Sequence, residues 1–235
     1  MRFAAVVVLW LRTFVFADPL EIPPPEVLAA SPAHHYANLT NDEALAELAR
    51  RHIAFVRVTE GAAGVRLPIR LRGALHGVSV HSSLPQAERD TTPFEILDAR
   101  LALALDDFCA ILSNHDVVEL VHFTMYRPSD PHPVETGTGP LRHPGGMAID
   151  VGALRKRSGA LMSVAPHWPP SIGAKTCGPG ARRLPTRRGR ELMSILCEAA
   201  DSRLFSAMLT PHFNRAHHDH FHLELTPDVK WFMVR

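Results

Sequence analysis

The stretch HHDHFHLEL, residues 217–225, carries four of the five histidines found from His212 to His222. Neutral imidazole is a favoured zinc ligand and the side chain best suited to moving protons near neutral pH. On a strand, His220 and His222 point to the same face, with roughly 7 Å between their Cα atoms. That geometry suits two ligands of one metal, or one ligand and a neighbour that handles protons. A histidine pair on a strand is also commonly structural or solvated. A second candidate is LRHPGGMAIDVG, residues 141–152. The spacing of His143 and Asp150 would stack them on one face of a helix, but Pro144, Gly145 and Gly146 make a helix costly there. His143 is therefore expected at the end of a loop and Asp150 on the strand that follows. A carboxylate among Ala148, Ile149 and Val151 is expensive to bury unpaired. A metal ion, an arginine or exposure to solvent must compensate it.

The elements that position these residues are read from periodicity and capping signals. Thr40 and Glu43 have capping-box spacing ahead of Ala44, Leu45 and Leu48, which predicts a helix. Residues 66–82 alternate apolar and polar side chains and read as a strand pair. Thr92-Pro93-Phe94-Glu95 reads as a helix start, with Ile96, Leu97, Leu101, Leu105, Phe108, Ile111 and Leu112 at helical spacing to about Asn114. VVELVHFTMYR (117–127) reads as a strand whose alternation puts Val121, Phe123, Met125 and Arg127 on one face. A Pro- and Gly-rich loop spans 128–147, a buried strand 148–154, a second loop 164–185 and a helix 186–201, and FHLEL closes as a strand. Helices and strands do not alternate regularly, so the expected class is α+β with a mostly antiparallel sheet and packed helices.

A chain of 235 residues with a formal charge of +1 has no basic excess pointing to nucleic acid. MRFAAVVVLWLRTFVFAD at the N-terminus has a positive start, an apolar core and a small-residue cleavage site, so residues 1–17 read as a signal peptide and the protein as exported. A buried N-terminal strand or a misplaced start also fits, since Arg12 interrupts the apolar run. No later stretch approaches the length of a membrane-spanning helix. Residues 18–39, rich in proline, read as a linker ahead of a single domain over 40–235. Of the three cysteines, Cys177 and Cys197 could pair in an exported protein, and three unpaired thiols with Cys109 fit equally well.

The order H-x6-D followed by H-x-x-H-x-H resembles the zinc peptidases of the Hedgehog/D,D-peptidase fold, the LAS group. The wider run is similar to the bacterial extensin-like C-terminal domain family. LDARLALALDDF, HFTMYRP, RHPGGMAIDVG and LFSAMLTPHFNRAHHDHFHLEL carry the resemblance, over most of residues 93–225. The resemblance implies Zn²⁺ held by His143, Asp150 and His222, with His220 and His217 as an acid/base pair. It also implies that Arg127 approaches the substrate or the oxyanion. His218 and Asp219 receive no role. His217 has the wrong strand parity for the site and can join it only if the chain bends before Asp219. Leu141 stands where many such peptidases carry serine, and no glutamate base is offered on the C-terminal motif. The implied function is a zinc-dependent peptidase acting on peptidoglycan peptides, of carboxypeptidase or endopeptidase type. The alternative is a non-catalytic, zinc-stabilised module that binds the cell wall. The loop from Pro128 to Pro140 is expected to border the cleft.

Overall fold

The computed structural model describes residues 20–128 and 142–235. The expected signal segment, Leu141 and nearly all of the loop at 128–140 lie outside these residues. The stretch 18–39, expected as a linker, is instead folded onto the domain. After strand β1 (Leu20–Glu21) come helices α1 (Pro25–Ala29) and α2 (Pro32–Ala37). Pro25 and Pro32 start these helices, where a missing N–H costs nothing. Leu28, Ala33, Tyr36, Ala37 and Leu39 join the core. Composition suggested a solvated tether, but the apolar residues between the prolines fall on one side of two short helices.

Helix α3 (Asn41–Arg50) has the expected capping box between Thr40 and Glu43. Strands β2 (Phe55–Arg57), β3 (Pro68–Leu71) and β4 (Ser79–Ser82) follow. Residues 66–82 do hold two strands, but β3 and β4 belong to different sheets. β3 pairs with β2 and with the later β5, whereas β4 lies parallel to the later β6. After helix α4 (Gln86–Arg89), Pro93–Glu95 form only a 3₁₀ turn capped by Thr92. Strand β5 (Leu97–Asp98) leads into helix α5 (Ala99–Asn114). The cap of α5 is thus Asp98, six residues later than the expected Thr92. Asp98 accepts from the Arg100 backbone N–H at 3.0 Å and from the Leu67 N–H at 2.9 Å, fixing the helix start to β3. Glu95, freed from a capping role, turns to Ser82. Helices α2 and α3 both pack on α5.

Strand β6 (Val117–His122) ends five residues short of the expected strand, and the alternation fails beyond it, since Met125 and Tyr126 are both buried. Strand β7 (Ala148–Lys156) covers the expected 148–154. Strand β8 (Leu161–Ser163) and helix α6 (Val164–His167) were not anticipated. Helix α7 (Arg187–Asp201), capped by Thr186, buries Leu192, Ile195, Leu196 and Ala199 as its spacing predicts. Strands β9 (Ala207–Leu209) and β10 (Phe221–Glu224) follow, and β11 (Phe232–Val234) lies after the strand expected to close the fold.

The main sheet has the order β1-β11-β9-β10-β7-β6-β4, with β8 also on β7. Among the described residues only the β11/β9 and β4/β6 pairs are parallel. The small sheet β2-β3-β5 is antiparallel. The class is α+β with a mostly antiparallel, mixed sheet and packed helices. No helix among the described residues is long and apolar enough to cross a membrane.

Candidate metal centre

The centre forms where β10 runs antiparallel to β7, with His222 directly opposite Asp150. Side chains of such a pair project from the same face of the sheet. The tail of β6 braces Asp150 from its other side: the Phe123 N–H donates to the Asp150 carbonyl at 2.8 Å, and the Asp150 N–H donates to Thr124 O at 3.0 Å. His143 enters from a 3₁₀ turn, His143–Gly145, just before β7. Gly146 closes that turn at φ 64°, and a Cβ there would lie 2.8 Å from the Asp98 nitrogen. The glycine therefore lets the turn lie close against β5 while keeping a left-handed backbone.

Asp150 Oδ1 lies 3.1 Å from His143 Nε2 and 3.0 Å from His222 Nδ1. All three side chains are buried, and their ligand atoms lie within 4.8 Å of one another. Atoms each about 2.0–2.1 Å from one tetrahedral ion lie roughly 3.3 Å apart, so the set fits a small cation. The outward nitrogens sharpen the fit. His143 Nδ1 faces the Met125 carbonyl at 3.2 Å and His222 Nε2 faces the Glu224 carboxylate at 2.9 Å. Both partners accept only, so these nitrogens carry the protons. In the neutral imidazoles this leaves His143 Nε2 and His222 Nδ1 as lone pairs facing a carboxylate oxygen. Three acceptors meeting at one point repel unless a proton or a cation lies between them.

The electrostatics agree with that geometry. Burial alone would raise the Asp150 carboxyl, but His143 and His222 hold it well below the usual carboxylate range. Burial pushes the His222 imidazole down, and Asp150 and Glu224 more than offset this, so it lies above its ordinary value. Glu224, which burial would raise, is held low by His222 and by the Thr226 hydroxyl.

His217 and His220 lie at the rim. The 3₁₀ turn Arg215–His217 supplies the bend before Asp219 that parity requires, and Asn214 caps it. The His217 ring centroid is 5.1 Å from that of His220 and 5.8 Å from that of His222. Burial and the neighbouring His220 and His222 push the His217 imidazole down to about 4, so it is neutral at pH 7. His220 Nε2 is 3.5 Å from Asp150 Oδ1. The other ring nitrogen, Nδ1, meets Asp219 Oδ1 at 2.8 Å. Arg127, more than half exposed, reaches Asp150 Oδ2 at 3.5 Å. The structure thus brings His143, Asp150, His222, His220, His217 and Arg127 together around one open cleft of about 500 Å³.

Sequence reasoning left out three groups. Asp219, which received no role, is bonded to His220, while His218 is exposed as anticipated. Glu224 lies two residues after His222 on the same face of β10, where it also meets Arg142 at 3.3 Å. The argument that flagged Asp150, a carboxylate in an apolar strand, applies equally to Glu224 in FHLEL. The Met125 carbonyl carries no sequence signal at all. Cys177 and Cys197 form a disulfide, and Cys109 is a free buried thiol.

The family model described as "Extensin-like protein C-terminus" matches residues 56–235. No curated protein and no solved structure matches the chain. The match covers well over half of the sequence, and the chain belongs to that family.

Proposed function

We propose that this member of the extensin-like family is an exported, zinc-dependent peptidase acting on peptide bonds of cell-wall material, either at the end of a peptidoglycan stem peptide or within a crosslink. The observation that carries the reading is the convergence of two imidazole lone pairs and one carboxylate oxygen, with both outward N–H groups committed to acceptors. His143, Asp150 and His222 would hold the ion. Two imidazoles and a carboxylate suit zinc. The ligand order, with His143 and Asp150 on and before one strand and His222 on its antiparallel neighbour, also supports kinship with the Hedgehog/D,D-peptidase fold. The Cys177–Cys197 disulfide supports export, because such bonds persist in oxidising compartments.

Bound zinc supplies Lewis acidity and makes water a usable nucleophile near neutral pH. The protein's own groups then have distinct tasks. Asp219 takes the proton side of His220 Nδ1, so Nε2 is left to accept a proton on the side facing Asp150. His220 would collect the proton lost by the attacking water and deliver it to the leaving amine, with His217 as a neutral neighbour. Arg127, which among the described residues meets a carboxylate only at Asp150, lines the cleft, where its guanidinium would share the charge of the developing oxyanion.

The rival reading, a zinc-stabilised wall-binding module, shares the same ligands and differs at the rim. His220→Ala separates the two. The variant should keep its full metal content and release products from isolated wall fragments about 10²–10⁴-fold more slowly. A wild-type protein that binds metal and wall but never turns over any fragment would support the module.

A further inference from the structure

A second concave site lies away from the metal cleft and shares none of its lining residues. It is a cavity of about 280 Å³ bounded by β3, β4 and the turn around α4. Arg70 and Arg72 project into it from the end of β3 and the residue beyond, two positions apart and so on one face. Ile69, the residue before Arg70, is fully buried on the opposite side, and Leu71, between the two arginines, is partly buried at the cavity wall. Arg89 enters from the end of α4. Its Nε–H donates to Leu84 O at 2.9 Å and its Nη1 to Gln86 Oε1 at 3.1 Å, which fixes the guanidinium in place.

Arg70 and Arg89 are both partly buried, yet neither has a carboxylate oxygen within 4.0 Å among the described residues. Arg70 makes only long contacts, 3.4 Å to Arg89 O and 3.5 Å to Thr91 O. Burial disfavours its charge, and the more distant carboxylates of Glu95 and Asp90 offset this only in part. Arg72 differs, since it pairs with Asp90 at 2.7 Å at the exposed lip. Glu95 also borders the cavity, but its oxygens are turned inward: Oε1 accepts the Ser82 N–H at 2.6 Å, and Oε2 lies 3.5 Å from buried His122. β3 is the middle strand of its sheet, so Arg70 is not a charge placed to blunt a sheet edge. What remains is a pair of partly buried guanidinium groups with N–H donors facing the same open cavity. Water can accept those bonds but brings no opposing charge. A tetrahedral oxyanion brings both, and its geometry matches two converging forks.

We propose that this cavity binds a phosphate-class oxyanion, with Arg70 and Arg89 as the two gripping residues and Arg72 as an outer contact. A phosphomonoester could reach it as a soluble ion or as a lipid headgroup. The test uses the full chain, with inorganic phosphate titrated calorimetrically against a chloride blank of equal ionic strength. Wild type should bind phosphate, Arg70→Gln and Arg89→Gln should each bind at least tenfold more weakly, and Arg72→Gln should lose less. Arg70→Lys keeps the charge without the fork and should fall between wild type and Arg70→Gln. Circular dichroism and metal content confirm that each variant is folded. Cosedimentation with phosphatidylcholine vesicles doped with phosphatidic acid then separates the sources. Vesicle binding that depends on Arg70 identifies a headgroup, and phosphate binding without it identifies a soluble ligand. No wild-type response beyond chloride, or affinity unchanged within twofold in Arg70→Gln and Arg89→Gln, overturns the proposal.

Discussion

Glu224 is the position where the metal reading can be tested without touching a ligand. Its buried carboxylate receives His222 Nε2 at 2.9 Å and the Thr226 hydroxyl at 2.6 Å. It therefore dictates which nitrogen of His222 faces Asp150. Glu224→Leu keeps much of the volume and removes the acceptor, so the ring loses its fixed tautomer. Loss of such an outer partner costs 10–100-fold in metal affinity as a rule, about 1.4–2.7 kcal/mol. With metal at 100 times the wild-type Kd, the folded wild type gains about 2.7 kcal/mol from binding. The same concentration gives Glu224→Leu between about 1.4 and 0.4 kcal/mol. For a chain of this size the metal-induced rise in Tm should drop from about 5–10 °C to about 1–5 °C. Glu224→Gln is the internal control. It keeps an oxygen for His222, and the Thr226 hydroxyl can rotate to accept from the amide nitrogen, so its affinity should lie closer to wild type. A chromophoric chelator competing for Zn²⁺ reads the affinities, and paired melts with and without metal read the stabilities. Equal affinity in wild type, Glu224→Leu and Glu224→Gln would refute the argument that outward hydrogen bonds aim the lone pairs.

Three further outcomes follow from groups outside the centre. His122 and the Ser82 N–H hold the Glu95 carboxyl down to about 2, against burial that would raise it. Its folded value lies below the unfolded one, so its contribution, about 3 kcal/mol at most, is fully present above about pH 4.5 and is lost as the pH falls towards 2. The urea midpoints of wild type and Glu95→Gln should differ most at pH 6, differ by roughly half as much at pH 3 and converge only at about pH 2 or below, and a gap independent of pH would contradict this. The Cys177–Cys197 bond closes a loop with a sequence separation of 20. Replacing both residues with serine should cost about 3 kcal/mol, whereas reductant should not affect the serine variant's melt. Gly189 lies inside α7, where alanine ordinarily stabilises a helix. A Cβ there would lie 2.2 Å from the His167 carbonyl oxygen. Gly189→Ala should therefore destabilise by about 1–3 kcal/mol in a chemical melt, and a gain in stability would show that the α6–α7 contact yields easily.

The parts of this molecule that could be read from the sequence are those set by local rules. Thr40 with Glu43, the stripe on α7 and the apolar run of β7 each need only near neighbours to declare themselves, and each lies where expected. Errors arose where a distant segment supplied the partner. Thr92-Pro93-Phe94-Glu95 satisfies every local criterion for a helix start. Asp98 caps α5 instead because its second oxygen is held by the N–H of Leu67, just ahead of β3. Likewise β6 stops at His122 because the following residues bond to the edge of β7 around Asp150. Residues 18–39 misled through composition: proline content says where a helix cannot continue, but it does not say that the pieces between prolines are solvated. The ligand candidates were legible because histidine and aspartate are conspicuous on apolar strands. Their supports, the Met125 carbonyl and the side chains of Glu224 and Asp219, were not singled out, because a bond's importance depends on what lies across the sheet.

The arrangement of the histidines bears on whether the centre performs chemistry. A purely structural cage needs its ligands braced and its outside covered. Bracing is present for His143 and His222, which are buried and bonded on their far nitrogens. Among the described residues covering is not, because His217 and His220 line an open cleft on the same side. These two are also oriented by acceptors, Asn214 and Asp219, on Nδ1. Each therefore offers Nε2, and in neutral His217 that nitrogen is a lone pair able to take a proton. Orienting two further imidazoles beside an already complete ligand set contributes little to a site whose only task is to hold a fold together. It is what a site needs when protons must be taken from one atom and returned to another. Asp219→Ala discriminates between the two: in a structural cage it changes neither metal content nor any rate. In a catalytic one it leaves metal content intact and lowers turnover of wall fragments, because His220 loses the carboxylate that sets its tautomer.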